Sequence, residues 1–195
     1  MAQSSAEAKR LLALLDTIYF LMMMAVIAGV LTAAMTLQYA KGELPCPLCL
    51  LQRVALFGVC FGIMQNFRDG FSNRNTGFSL LFAIFLLIVS VRQSLLDIVP
   101  RPGHEYIGSA VFGLHMPVWS IIIALCLLIA FAAKLAMLGG DEHLDDNDVK
   151  TFPMLDRAAR LLSLYVIALC AINLVSVVLQ CGFGECHTFS YQLLK

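Results

Sequence analysis

Residues Thr17–Ala40 read TIYFLMMMAVIAGVLTAAMTLQYA, 24 residues without one Asp, Glu, Lys or Arg. About 20 apolar residues in a helix cross the ~30 Å of hydrocarbon in a bilayer. Only helices and closed barrels satisfy their own backbone hydrogen bonds there, so the run reads as a helix. The apolar region of a cleaved signal peptide is about 7–15 residues long, which makes this segment an uncleaved anchor. Four further uncharged stretches follow, Val54–Phe67, Asn75–Val91, Met116–Ala133 and Leu161–Gly184. Val54–Phe67 is short at 14 residues and reaches spanning length only by taking in Pro47–Arg53, which puts Arg53 just inside its outer end.

Composition excludes a water-soluble domain. The chain is 60% hydrophobic and 13% charged with a mean hydropathy of +0.84, against about 25% charged residues in soluble domains. A formal net charge of zero over 195 residues gives no electrostatic basis for a nucleic-acid partner. The expected fold is all-α and polytopic, a four-helix bundle core plus a fifth transmembrane helix. It forms a single membrane domain, 1–195, with helices near 12–37, 47–66, 76–96, 116–138 and 158–180 and a tail at 181–195. Asn66–Asn75 is read as a tight inner loop and Asp97–His115, broken by Pro-Arg-Pro-Gly, as the longest outer one. Gly139–Asp156 is an acidic, solvated inner linker.

Lys and Arg near the helix ends set orientation. With the N-terminus inside, Lys9, Arg10, Arg68, Arg74, Lys134, Lys150, Arg157 and Arg160 are cytoplasmic, and Lys41, Arg53, Arg92, Arg101 and Lys195 are outside. This bias of eight to five favours N-in, C-out. It sends Cys46, Cys49, Cys181 and Cys186 to the outer face and leaves Cys60, Cys126 and Cys170 within apolar runs. Four thiols on an oxidising face read as two pairs. The other three read as small apolar core residues.

At the head of the second helix stands Leu44-Pro45-Cys46-Pro47-Leu48-Cys49-Leu50-Leu51-Gln52-Arg53. Cysteines three apart on a helical turn have Cα atoms roughly 5–6 Å apart, within reach of a disulfide. Pro47 suits the first helical position, where its missing N–H costs nothing, and Cys46 is then the cap. A helix N-terminus and a nearby cation both favour the reactive thiolate. Arg53 lies four residues past Cys49, on the same face. Charge at mid-bilayer costs about 2.5–3.5 kcal/mol even on a lenient scale, so Arg53 needs a partner such as a thiolate or a quinone head group. The same C-x-x-C also fits half of a zinc site or an inert disulfide. No second ligand pair stands at metal spacing, and Cys181 with Cys186-His187 makes a poor tetrahedral set, so no metal is expected.

Pro45-Cys46-Pro47-Leu48-Cys49-Leu50-Leu51-Gln52-Arg53 closely resembles the signature of the disulfide-bond formation protein B (DsbB) family. Arg92-Gln93-Ser94-Leu95-Leu96-Asp97 and Gly113-Leu114-His115-Met116-Pro117-Val118-Trp119 resemble the flanks of that family's second outer loop, so the likeness covers about residues 11–138. The resemblance implies a bacterial inner-membrane thiol:quinone oxidoreductase. Such a protein re-oxidises a periplasmic DsbA-like thioredoxin-fold partner and passes the electrons to a membrane quinone, ubiquinone or menaquinone. Cys46 and Cys49 would be the quinone-coupled pair, with Cys49 the thiolate that engages the quinone and Arg53 helping to bind it.

The chain departs from the family pattern in one respect. The family usually has four helices and a second cysteine pair between the third and fourth, yet Asp97–His115 contains no cysteine. A fifth helix is added instead, ending Gln180-Cys181-Gly182-Phe183-Gly184-Glu185-Cys186-His187. Cys181 and Cys186 are therefore expected to be the relocated, partner-facing catalytic pair, joined by an exposed and labile disulfide. Residues five apart on a straight helix are roughly 8–9 Å apart, too far to bridge, but Gly182 and Gly184 permit a turn. A structural disulfide tying down the C-terminus is the alternative. Two other functions compete with the oxidase, a membrane carrier delivering reductant outward and a non-enzymatic accessory subunit. The orientation has a direct check. A membrane-impermeant thiol reagent should label Cys46, Cys49, Cys181 and Cys186 after mild reduction, and labelling of only one pair from outside would break the five-helix topology.

Overall fold

The computed structural model describes residues 2–42, 44–98, 113–138 and 149–182. Five helices carry the chain: α1 (Ala2–Lys41), α2 (Pro47–Asp69), α3 (Asn73–Ile98), α4 (Met116–Leu138) and α5 (Pro153–Cys181), with a 3-10 turn at Val149–Thr151. All five are long and apolar enough to cross a membrane, and no strand occurs among the described residues. The protein is an all-α, multi-pass membrane protein. Most of the expected outer loop Asp97–His115, much of the acidic linker, and the tail with Cys186 lie outside the described residues.

Helix ends follow local chemistry. Pro47 opens α2 and Pro153 opens α5, each in the first turn, where a missing N–H costs nothing. Gly182 closes α5 at φ 58°, and its N–H bonds back to the Val178 carbonyl at 2.8 Å. Asn66 holds the turn between α2 and α3. Its Oδ1 accepts from the Ser72 N–H at 3.0 Å, and its Nδ2 donates to Thr76 Oγ1 at 3.3 Å.

The tightest seam joins α2 to α3. Gly58 and Gly62, four residues apart, face α3, and small residues at that spacing let two membrane helices approach closely. A β-carbon at Gly62 would stand 2.7 Å from the Asn75 carbonyl oxygen and 2.9 Å from the Ser79 nitrogen. One at Gly58 would collide with the Phe82 ring. Ser79 Oγ uses the proximity to donate to the Val59 carbonyl at 3.0 Å. On the other side of α2, α1 and α5 pack, while α4 lies against α3. Phe20, Met24, Ile27, Leu31, Val59 and Ile63 fill the shared core, and Phe20 stacks on Phe71 at 5.5 Å.

Large apolar side chains such as Met22, Leu81, Ile129 and Leu164 point outward, while Gln38, Gln52, Arg53, Gln93, Asn173 and Gln180 are buried. Lipid tails are as apolar as leucine, so nothing drives leucine inward, and polar groups gather where they can bond one another. Two sequence expectations change here. Cys60 is buried, but Cys126 and Cys170 are exposed on the outer surface of the bundle rather than in its core. An apolar run in a membrane does not say which of its sides faces protein.

Lys134, counted among the basic residues that set orientation, is not free at the helix end. Its ammonium is buried beside the Asp16 carboxylate at 3.7 Å and lies 5.5 Å from the Phe20 ring centroid. The charge is neutralised within the α1–α4 contact.

The glycine seam is testable by thermal unfolding in detergent. Gly62→Ala should destabilise by about 1–3 kcal/mol, the usual cost of overpacking, because the obstructing atoms include backbone of Asn75 and Ser79 besides Ser79 Oγ. Gly77→Ala, with nothing within 4 Å of the new carbon, should be neutral or slightly stabilising. Equal behaviour of the two variants would refute the close approach.

Candidate functional site

Cys46 is the N-cap of α2 at φ −69°, ψ 161°, and its Sγ accepts from the Cys49 N–H at 3.2 Å. A sulfur thus takes the capping place usually held by a serine or aspartate oxygen. The Cys46 and Cys49 sulfurs lie 2.7 Å apart, both as free thiols, at a helix mouth whose backbone N–H groups attract negative charge. Cys46 precedes the membrane-spanning segment, and its hydrogen bond with Cys49, aided by burial, pushes its thiol up.

An amide from α3 completes this end of the site. Gln93 Nε2 donates toward Cys46 Sγ at 3.4 Å and Cys49 Sγ at 3.3 Å. Its orientation is set from behind, since Gln93 Oε1 accepts from Gln52 Nε2 at 2.9 Å. Gln52 Oε1 in turn accepts from Ser120 Oγ of α4 at 3.0 Å. A hydroxyl and two amides from three helices so direct one NH₂ group at both sulfurs. Such a network is fixed only if each member is satisfied, and here each bond determines the next.

Arg53 sits one turn below Cys49 and is buried. Nη1 donates to Gln38 Oε1 at 2.6 Å and to Asn173 Oδ1 at 3.3 Å, and Nη2 donates to the Ala34 carbonyl at 3.1 Å. The sequence reading sought its partner in a thiolate or quinone. Neutral oxygens of α1 and α5 bond it, and its charge also acts electrostatically on Cys49, one of the expected partners.

The second cysteine pair is described on one side only. Cys181 is the last residue of α5 and is disulfide-bonded, with its partner outside the described residues. The turn expected at Gly182 is present. Contrary to the expected exposed disulfide, Cys181 is buried. The physical reason is the neighbouring Gln180, whose Nε2 donates to the Pro45 carbonyl at 2.8 Å and draws the end of α5 against the approach to Cys46. Cys60, Cys126 and Cys170 are free.

Sequence reasoning brought together Cys46, Cys49 and Arg53 but missed Gln93, Gln52, Ser120, Asn173 and Gln180. Gln93 was quoted only as part of a family-like flank. A signal existed, because amides inside apolar spans are costly unless they bond one another. Which amides meet depends on helix rotation, which one chain's pattern does not supply.

Comparison with known proteins points the same way. A family model described as "Disulfide bond formation protein DsbB" matches residues 16–105, the stretch holding α1, α2 and α3. The disulfide bond formation protein B of Cupriavidus necator is 26% identical over 146 residues, covering 60% of this chain and 91% of that protein. Its counterpart in Chromobacterium violaceum is 30% identical over 114 residues, covering 53% and 66% respectively. No solved structure matches significantly. With paired cysteines capping an intramembrane helix and this likeness along the same segment, the chain is similar to the DsbB family of membrane disulfide oxidoreductases and reads as a protein of disulfide-bond formation.

Proposed function

We propose that this protein is a thiol:quinone oxidoreductase of the bacterial inner membrane, with its N-terminus cytoplasmic and its C-terminus periplasmic. It re-oxidises a DsbA-like thioredoxin-fold dithiol. The observation that carries the reading is the adjacency of the Cys46 and Cys49 sulfurs at a helix mouth, with the Gln93 amide aimed at both and the Arg53 charge one turn deeper.

In the proposed sequence a partner thiolate attacks the Cys181–Cys186 disulfide through a mixed disulfide. The partner's second thiol then displaces the tail, leaving an oxidised partner and a reduced tail. The tail dithiol reduces the Cys46–Cys49 disulfide in the same way. Gln93 donates hydrogen bonds to the sulfur that leaves, and Arg53 balances its charge. Cys49 and Arg53 would hold a membrane quinone, which would supply the two-electron, two-proton acceptor needed to restore the Cys46–Cys49 disulfide. The donor set suits such a ligand, because a buried guanidinium and an oriented amide offer N–H groups to quinone carbonyl oxygens.

Purified protein in detergent with a soluble quinone analogue tests these roles. Cys49→Ala should abolish quinone reduction, and normal turnover in that variant would remove the mechanism. Truncation after Gln180 should block oxidation of a thioredoxin-fold partner yet leave dithiothreitol able to drive quinone reduction. Full-rate oxidation of the protein partner by the truncated chain would make the tail disulfide structural. Gln93→Leu should slow dithiothreitol-driven turnover about tenfold or more, the scale of a lost hydrogen bond to a charged group. An unchanged rate would reduce Gln93 to a packing residue.

A further inference from the structure

The buried face of α5 is a single stripe at helical spacing: Ala159, Val166, Leu169, Asn173, Ser176 and Gln180. Its inner half is apolar and its outer half polar, and the change comes at the level where Asn173 meets Arg53. The remaining surface of the helix, including Leu161, Leu164, Leu174 and Val175, faces outward. A helix that merely carried the chain back across the membrane would have no use for interior amides, which lipid penalises unless they find partners. These have found them. Asn173 Oδ1 accepts from Arg53 Nη1 at 3.3 Å, and Gln180 Nε2 donates to the Pro45 carbonyl at 2.8 Å, one residue before the capping Cys46.

The rotation of α5 that aims these amides is itself fixed by hydrogen bonds to α1. Thr32 Oγ1 and the Tyr165 hydroxyl are 2.7 Å apart, and Tyr39 bonds Ser176 through their hydroxyls. Directional bonds of this kind set a helix's rotation more narrowly than apolar contact does.

We propose that α5 is part of the redox site as well as the support of Cys181: Asn173 is a positioning residue for the Arg53 guanidinium, and Gln180 is a positioning residue for the Pro45–Cys46 turn. Arg53 then acts on Cys49 from a place that α1 and α5 set jointly. Cys46 keeps its capping position because the carbonyl before it is tied to the end of α5. The two cysteine pairs are linked through the backbone as well as by thiol exchange. This inference rests on Cys46–Cys49 being the reactive pair.

The test reads thiol reactivity in the full-length reduced protein and needs neither quinone nor protein partner. Iodoacetamide modification of Cys49 and of Cys46 is followed by peptide mass spectrometry in a double-mutant cycle of Asn173 with Arg53. Asn173→Leu should slow Cys49 alkylation about tenfold when Arg53 is present, by loss of a charged hydrogen bond, and less than twofold in the Arg53→Ala background. Asn173→Gln, which keeps a neutral amide acceptor, should stay close to the parent rate. If Asn173→Leu does not accumulate, Asn173→Ser gives the same comparison with a smaller side chain. Gln180→Met should make the buried Cys46 severalfold faster to alkylate by releasing the turn. Equal slowing of Cys49 in both Arg53 backgrounds, or none in either, overturns the role of Asn173, and unchanged Cys46 reactivity overturns that of Gln180. Failure of the parent protein to reduce quinone would count against the proposed function while leaving this cycle readable.

Discussion

A guanidinium inside a membrane-spanning bundle has to be met by oxygen atoms, and Arg53 donates to those of Gln38, Asn173 and the Ala34 carbonyl. Much of the outer half of the structure follows from that constraint. Two of the oxygens belong to α1 and one to α5, so burying the charge on α2 requires all three helices to converge one turn below Cys49. Removing any one helix would leave donors facing hydrocarbon, where an unpaired polar group costs several kcal/mol.

The same logic divides the bundle by depth. At the end away from the cysteine pair the helices meet through Phe20, Phe71, Phe131 and the Asp16–Lys134 pair. At the cysteine-bearing end they meet through amides, hydroxyls and sulfurs. Apolar packing gives density but tolerates small rotations, whereas a chain such as Ser120–Gln52–Gln93–cysteine holds only for one arrangement of α2, α3 and α4. The polar end is where chemistry on two sulfurs demands a fixed geometry.

Close approach of α2 and α3 at Gly58 and Gly62 serves this end indirectly. It locks the register in which Gln93 stands opposite Cys46 and Cys49, some distance along the same seam. A family segment covering α1 to α3 thus includes the cysteines, Arg53 and Gln93, while Ser120 on α4 and Asn173 and Gln180 on α5 supply contacts from beyond it.

Five spans, an intramembrane arginine and a cysteine-capped helix were all legible in the sequence, because each depends on local quantities. Length of an apolar run decides whether a helix spans a bilayer, proline and cysteine at a helix start decide the cap, and i, i+3 and i+4 spacings decide which neighbours share a face. The family-like string Pro45–Arg53 added the chemistry. Partner choice was not legible. The sequence named no partner for Lys134, put Cys126 and Cys170 in the core, and sought a thiolate or a ligand for Arg53. In lipid both faces of a helix are apolar, so hydrophobic periodicity no longer marks the buried side. Only the assembled bundle decided that Lys134 meets Asp16, that Cys126 and Cys170 face outward, that Gln93 points at the sulfurs, and that α5 lends Asn173 and Gln180 to the site. Each of those outcomes depends on helix rotation, and rotation is set by the hydrogen bonds between helices that form only when the whole bundle is in place.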